Sequence, residues 1–354
     1  MSVESQSRPR AIRLPPTPSS LNSQPSTLNP QLSTPLIPKP HIALITALLV
    51  AFGISHFSDH IDPYHLDVLI GIGINVILAV SLNLVNGYTG QFSLGHAGFM
   101  SVGAYFSAAV SMNLALRLFG DDGGSVSQQF LLFLGALLVG GLAAAFTGLL
   151  VGVPSLRLKG DYLALVTLGF GEIIRVIFQN VEFLGGALGL NGIAPYTTIG
   201  WVLSVVAITI FVVTCLVHST YGRGFLATHD DEIASEAVGL NTTRYKIVAF
   251  VIGAFFAGIA GGLYGHFKLT ITPTGFDFTK SIEIVVMVIL GGMGNTVGVI
   301  LAAILLTLLP ELLRPIAEYR MVIYSFLLIV LMLARPQGLF NFRLPGFGNK
   351  TSAP

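Results

Sequence analysis

Four stretches of this chain hold residue types that could do chemistry. The first is Glu172 and Arg175, set within a long apolar run. Three apart on a helix, they share a face and can pair. A lone charge at the centre of a bilayer costs about 2.5–3.5 kcal/mol on insertion scales, and pairing lowers that cost. A structural ion pair is therefore the first expectation, and a place on a solute path the second. The second stretch, residues 86–98, is polar and punctuated by glycine between two apolar runs. Its Tyr88, Thr89, Gln91, Ser93 and His96 could meet a small polar solute, because broken helices offer free backbone groups and hydroxyls. An ordinary interfacial loop would read the same way.

The third stretch, residues 218–245, is the longest polar segment within the apolar region. Thr228 and Asp231 have the spacing of a capping box. Ile233, Ala234, Ala237, Val238 and Leu240 would line one helical face. Asp230, Asp231, Glu232 and Glu236 put negative charge near the helix start, where the dipole favours it. Gly239 suits the left-handed residue that ends a helix. The expectation is one short amphipathic helix across the mouth of a membrane domain, serving to dock a cytoplasmic partner. The fourth stretch is Gly291-Gly292-Met293-Gly294-Asn295. It is rich in glycine but lacks the lysine of a phosphate loop, so it reads as a tight turn or helix junction.

Other chemistries find little support. His56, Asp59, His60, Asp62, His65 and Asp67 cluster in sequence, but Pro63 breaks helical spacing and no metal site is expected. The single cysteine, Cys215, lies in an apolar run and reads as a small buried residue. No nucleophile–base pair stands out, so the chain is not expected to be an enzyme. A formal net charge of +1 argues against a nucleic-acid partner.

These residues have to be positioned by helices in lipid. Hydrophobic residues are 53% of the chain, charged residues 10%, and the mean hydropathy is +0.78. A soluble domain carries about 25% charge, so this chain could not cover itself with a solvated surface. The apolar segments are too long and continuous for a barrel. The expected fold is all-α: a polytopic bundle of about ten transmembrane helices, some short or broken. The runs are residues 42–54, 66–84, 96–116, 130–153, 162–178, 199–217, 246–264, 282–290, 296–313 and 321–334. The run before Gly291 is too short to cross alone, and either extends through the glycines or forms a re-entrant half-helix.

Residues 1–40 are rich in Pro, Ser, Asn, Gln and Thr and read as a disordered cytoplasmic tail. They are not expected to be a secretory signal, since the first apolar run starts only at Ile42. Residues 41–340 would form the membrane domain, with residues 218–245 as its cytoplasmic loop and residues 341–354 as a second cytoplasmic tail. Basic residues after the fourth, sixth and last runs put both termini in the cytoplasm. Lys268, Lys280 and Arg320 fall outside under this scheme and weigh mildly against it. In the seventh run Gly253, Ala257, Gly261 and Gly265 recur every four residues, beside a second row of Ala254, Gly258 and Gly262. Such rows let helix backbones approach closely in lipid.

Taken together, these stretches resemble the branched-chain amino-acid ABC transporter permeases, of the LivM type, from about residue 64 to residue 340. The resemblance rests on Gly87 to His96; on Arg157-Leu158-Lys159-Gly160-Asp161-Tyr162-Leu163-Ala164 with Thr167 to Ile173; on Tyr221-Gly222-Arg223-Gly224, Ala234 to Gly239 and Lys246 to Gly262; and on Gly291 to Asn295. Leu184-Gly185-Gly186 stands where the family often has Thr-Gly-Gly. The resemblance implies an importer in a bacterial inner membrane. A second permease of the LivH type pairs with the chain, and two cytoplasmic ATPase subunits hold ATP and Mg. An external solute-binding protein delivers Leu, Ile or Val. No cofactor would sit on this chain. Arg223, Thr228, Asp231, Glu232, Ala234, Glu236, Ala237 and Gly239 would belong to its ATPase-coupling segment. An importer of urea or short amides, or an ion-coupled secondary transporter, remains as an alternative.

Overall fold

The computed structural model describes residues 40–56, 62–119, 125–156, 158, 160–314, 319, 322, 323, 325, 326, 329 and 330. Residues 1–39, Asp59, His60, most of the run 321–334 and the segment 341–354 lie outside the described residues. The described part is almost all helix: α1 (Pro40–His56), α2 (Pro63–Asn83), α3 (His96–Phe119), α4 (Val126–Ser155), α5 (Asp161–Asn180), α6 (Ile199–His218), α7 (Thr220–Asp230), α8 (Glu232–Ala237), α9 (Thr242–Lys268), α10 (Phe278–Gly291) and α11 (Thr296–Leu312). A short antiparallel pairing joins β1 (Leu190–Asn191) to β2 (Thr270–Ile271).

Among the described residues, five helical segments are long and apolar enough to cross a membrane: Pro63–Tyr88, Val126–Ser155, Tyr162–Asn180, Ile199–His218 and Thr242–Lys268. His41–Ser55 and Thr296–Leu312 are shorter apolar helices. Several starts are written in the sequence as side-chain caps. Asp62, Asn241, Asp277 and Asn295 each accept a backbone N–H from the first turn of α2, α9, α10 and α11.

Helix α9 is the axis of the bundle. Its two rows of small residues face different neighbours. Gly261 meets the Met100 carbonyl of α3, and Gly265 faces Ala104. Gly258 meets Ala144 of α4 and also sits on Gly103 of α3. A Cβ at Gly262 would come within 2.8 Å of Leu137 and 3.0 Å of Ser107. The missing side chains are what let three backbones touch, so that dispersion contacts can replace the hydrophobic drive that lipid does not supply.

Contacts along α9 fix the direction of its neighbours. Gly103 lies on Gly258, and Ser111 Oγ is 2.8 Å from His266 Nε2, so α3 runs parallel to α9. Phe133 packs on His266 and Gly152 on Phe250, so α4 runs antiparallel. In α2, Asp67 pairs with Lys268 and Ser81 faces Gly253, so α2 is antiparallel too. The end carrying α7 and α8 is called the near end here, and the end of Lys268 the far end.

Two helices do not start at an end. By its alignment with α9, His96 is level with about residue 252, some 15 Å in from the start of α9 at 1.5 Å per residue. Ala97 N donates to Ser281 Oγ at 3.3 Å, so α10 begins at the same depth. The short run before Gly291 is therefore a half-helix, reached by residues 269–277 dipping in from the far end. This corrects the outside placement of Lys280, which lies in the first turn of α10 and bonds to Asn75 and Glu283.

Candidate functional site

The glycine-punctuated stretch descends to the near end and climbs back. Helix α2 widens into one π turn over Leu84–Tyr88, and the chain then runs without helix to His96. π turns of this kind concentrate at functional sites. Thr89, Gln91, Ser93 and His96 are all buried, and Tyr88 is half-buried. Non-helical backbone at membrane depth has to be satisfied by protein, and here much of it is. Ser93 N donates to Asn86 Oδ1 at 3.2 Å, and Leu94 N to Thr167 Oγ1 at 3.0 Å. Gln91 N reaches the Val85 carbonyl at 3.1 Å. Thr89 Oγ1 donates to that same carbonyl at 2.7 Å.

The polar side chains tie this stretch to its surroundings. His96 Nε2 is 2.9 Å from Ser81 Oγ, and the Tyr88 hydroxyl is 2.8 Å from Thr296 Oγ1. Asn83 Oδ1 accepts Gly294 N at 2.9 Å, while Gly87 has no room for a Cβ against Gly294. The Gly291–Asn295 turn is thus the seat on which the π turn rests. The Gln91 side-chain amide is buried with no hydrogen-bond partner among the described residues.

At the near end the structure differs from the sequence expectation. Residues 218–245 hold two helices, not one. Helix α7 continues through Asp230, so Thr228 spends its hydroxyl on the Gly224 carbonyl at 2.8 Å and forms no capping box with Asp231. Asp231 is itself the cap of α8: its Oδ1 accepts Ile233 N at 2.9 Å and Ala234 N at 3.0 Å. Arg223 is exposed on α7. Helix α8 is held at both ends. Glu232 pairs with Lys246 at 2.8 Å, Glu236 Oε1 accepts from Thr242 Oγ1 at 2.7 Å, and Ser235 Oγ donates to the Ala227 carbonyl at 2.8 Å. Gly239, at φ +86°, turns the chain out of the helix. The apolar side chains left facing outward are Ile233, Ala234, Ala237 and Val238; Ile233 is 75% and Val238 78% exposed.

The re-entrant stretch and the near-end helices meet. A cavity of about 250 Å³ is lined by Gly90, Gln91 and Phe92 on one side and by His229 to Glu232 with Lys246 on the other.

Glu172 and Arg175 form the pair that their spacing suggests, at 2.7 Å, half-exposed on α5. They lie at the depth of the α3 start, since Gly171 and Ile174 border Gly98. Sequence reasoning missed a second pair at that depth, Lys280 with Glu283 at 2.9 Å on α10. It also missed Asn75, which links Lys280 to Thr307. The available signals were an asparagine inside an apolar run and two opposite charges three apart at the head of another.

Comparison with known proteins gives this geometry a context. Residues 64–334 match the family described as branched-chain amino acid transport system / permease component. The chain is 36% identical over 315 residues, 79% of its length, to the high-affinity branched-chain amino acid transport system permease protein LivM of Escherichia coli, 71% of which is covered. It is 26% identical to a probable LivM permease of Methanocaldococcus jannaschii over 77% of this chain and 92% of that one. It is 24% identical to the LivH permease of Salmonella typhimurium over 75% of this chain and 90% of that one. No solved structure matches. The chain is a multi-pass membrane protein, and it belongs to the family of branched-chain amino acid transport permeases.

Proposed function

We propose that the chain is the membrane-spanning permease subunit of an ABC importer for Leu, Ile, Val or related amino acids. It pairs with a second permease of the LivH type in a bacterial inner membrane, with both termini cytoplasmic and about ten helices crossing. Two ATPase subunits dock at the near end and supply ATP and Mg; an external binding protein delivers solute at the far end. The relatives' names support the solute class.

The observation that carries the docking reading is helix α8. A helix of six residues is too short to be stable alone. This one is fastened at both ends by capping, an ion pair and hydrogen bonds, yet leaves Ile233 and Val238 in the open. Rigid presentation of an apolar patch on a polar end fits a partner's groove. Helix α8 would transmit the partner's motion through α7 and the Gly90–His229 contact into the re-entrant stretch. The test is ATP-driven uptake of leucine by the purified complex in proteoliposomes. Uptake that depends on added ATP and on the binding protein supports the reading; uptake driven by an ion gradient without an ATPase overturns it.

A further inference from the structure

One face of the bundle is unfit for lipid. Helix α5 carries Glu172 and Arg175, with side chains 35% and 26% exposed. Helix α10 carries Lys280 and Glu283, 21% and 34% exposed. Both helices pack on the first turns of α3, through Gly171 against Gly98 and Ser281 against Ala97. Both ion pairs therefore stand near one level, about half way through the bundle. Between the far end and that level run residues 272–277, a single 3₁₀ turn over Pro273–Phe276 with its flanking residues, in which Thr274 and Gly275 are exposed. Charges at membrane depth belong beside protein or water, not acyl chains. By contrast, the exposed side of α4 carries Leu131, Leu138, Leu142, Phe146 and Leu150 with no charge on the helix.

Water has a way in. Lys280 also lines a cavity of about 150 Å³ with Asn75, Thr307 and Glu311, and Asp67 and Lys268 border it toward the far end. At about 30 Å³ per water in the liquid, that is room for about five waters.

We propose that the α5–α10 face lines an aqueous passage closed by the second permease, and that its two ion pairs receive the charged head of an α-amino acid. Each pair presents a cation for the solute carboxylate and an anion for its ammonium, and opening a pair toward the solute trades one charge-assisted bond for another. A neutral amide such as urea would gain nothing from four charges held at this depth. The proposal rests on the importer reading above.

The test uses the full complex with Cys215→Ser as background. Thr279→Cys and Ile282→Cys on α10 are compared with Leu142→Cys on α4, using a membrane-impermeant methanethiosulfonate with and without leucine. The α10 cysteines should react at least tenfold faster than Leu142→Cys, and leucine should slow them. In parallel, Lys280→Glu should lose most leucine uptake, and the swap Lys280→Glu with Glu283→Lys should fail to restore it. Silent α10 cysteines, or a swap that restores uptake as a purely structural pair would, overturn the site. If the background complex still imports leucine on ATP while the α10 cysteines stay silent, the site falls and the importer reading stands. Absence of ATP-driven uptake from the background complex removes both.

Discussion

Gly90 lies against His229. A Cβ at Gly90 would come within 2.8 Å of the imidazole Cδ2, and Gly90 holds φ at +68°, where other residues are strained. Residue 90 is the turning point of the re-entrant stretch, and residue 229 is in the last turn of the helix before α8. Under the proposed docking, a push on α8 would reach the chain segment that ends at His96, midway through the bundle.

Gly90→Val should break that transmission. Both the backbone conformation and the space forbid the side chain, and a misfit of this kind costs about 1–3 kcal/mol. The complex should still assemble, while stimulation of its ATPase by the loaded binding protein falls at least tenfold. Unchanged stimulation would place the coupling elsewhere.

The small-residue rows of α9 give a stability prediction. Gly261→Val and Gly258→Val drive a side chain into the backbone of α3 or the side chain of Ala144. Each should lower the thermal midpoint in detergent markedly, again by about 1–3 kcal/mol or more. Gly135→Ala is the control, since nothing lies within 4 Å of its added Cβ; in a helix it should be neutral or stabilise by up to about 1 kcal/mol. Equal effects at the two kinds of site would refute the packing account.

Much of this was legible in the sequence. Apolar runs locate most of the helices, four-residue spacing marks the close contacts of α9, and the spacing of Glu172 and Arg175 gives their pair. Two things were not. Whether Thr228 caps a helix depends on whether its own N–H is free, and that is settled by how far α7 continues, which polar composition does not tell. Depth is the second. Lys280 reads as a loop charge because its neighbours in sequence are polar; only the Ala97–Ser281 contact shows that the loop has already descended into the bundle.

Asp231→Ala removes the acceptor for two backbone N–H groups at the start of α8. Loss of such a cap costs about 1 kcal/mol. Hydrogen exchange of residues 232–237 should quicken about fivefold, with exchange in α9 unchanged. No change would mean that the Lys246 and Thr242 contacts alone hold α8.

The docking claim is tested most directly by counting ATPase. Ile233 and Val238 are about three-quarters exposed, so with both changed to Arg the membrane domain should keep its thermal midpoint. The ATPase subunit that co-purifies with the permease pair should fall to a small fraction of the unmodified level. Full retention of the ATPase on a folded double variant would contradict the account.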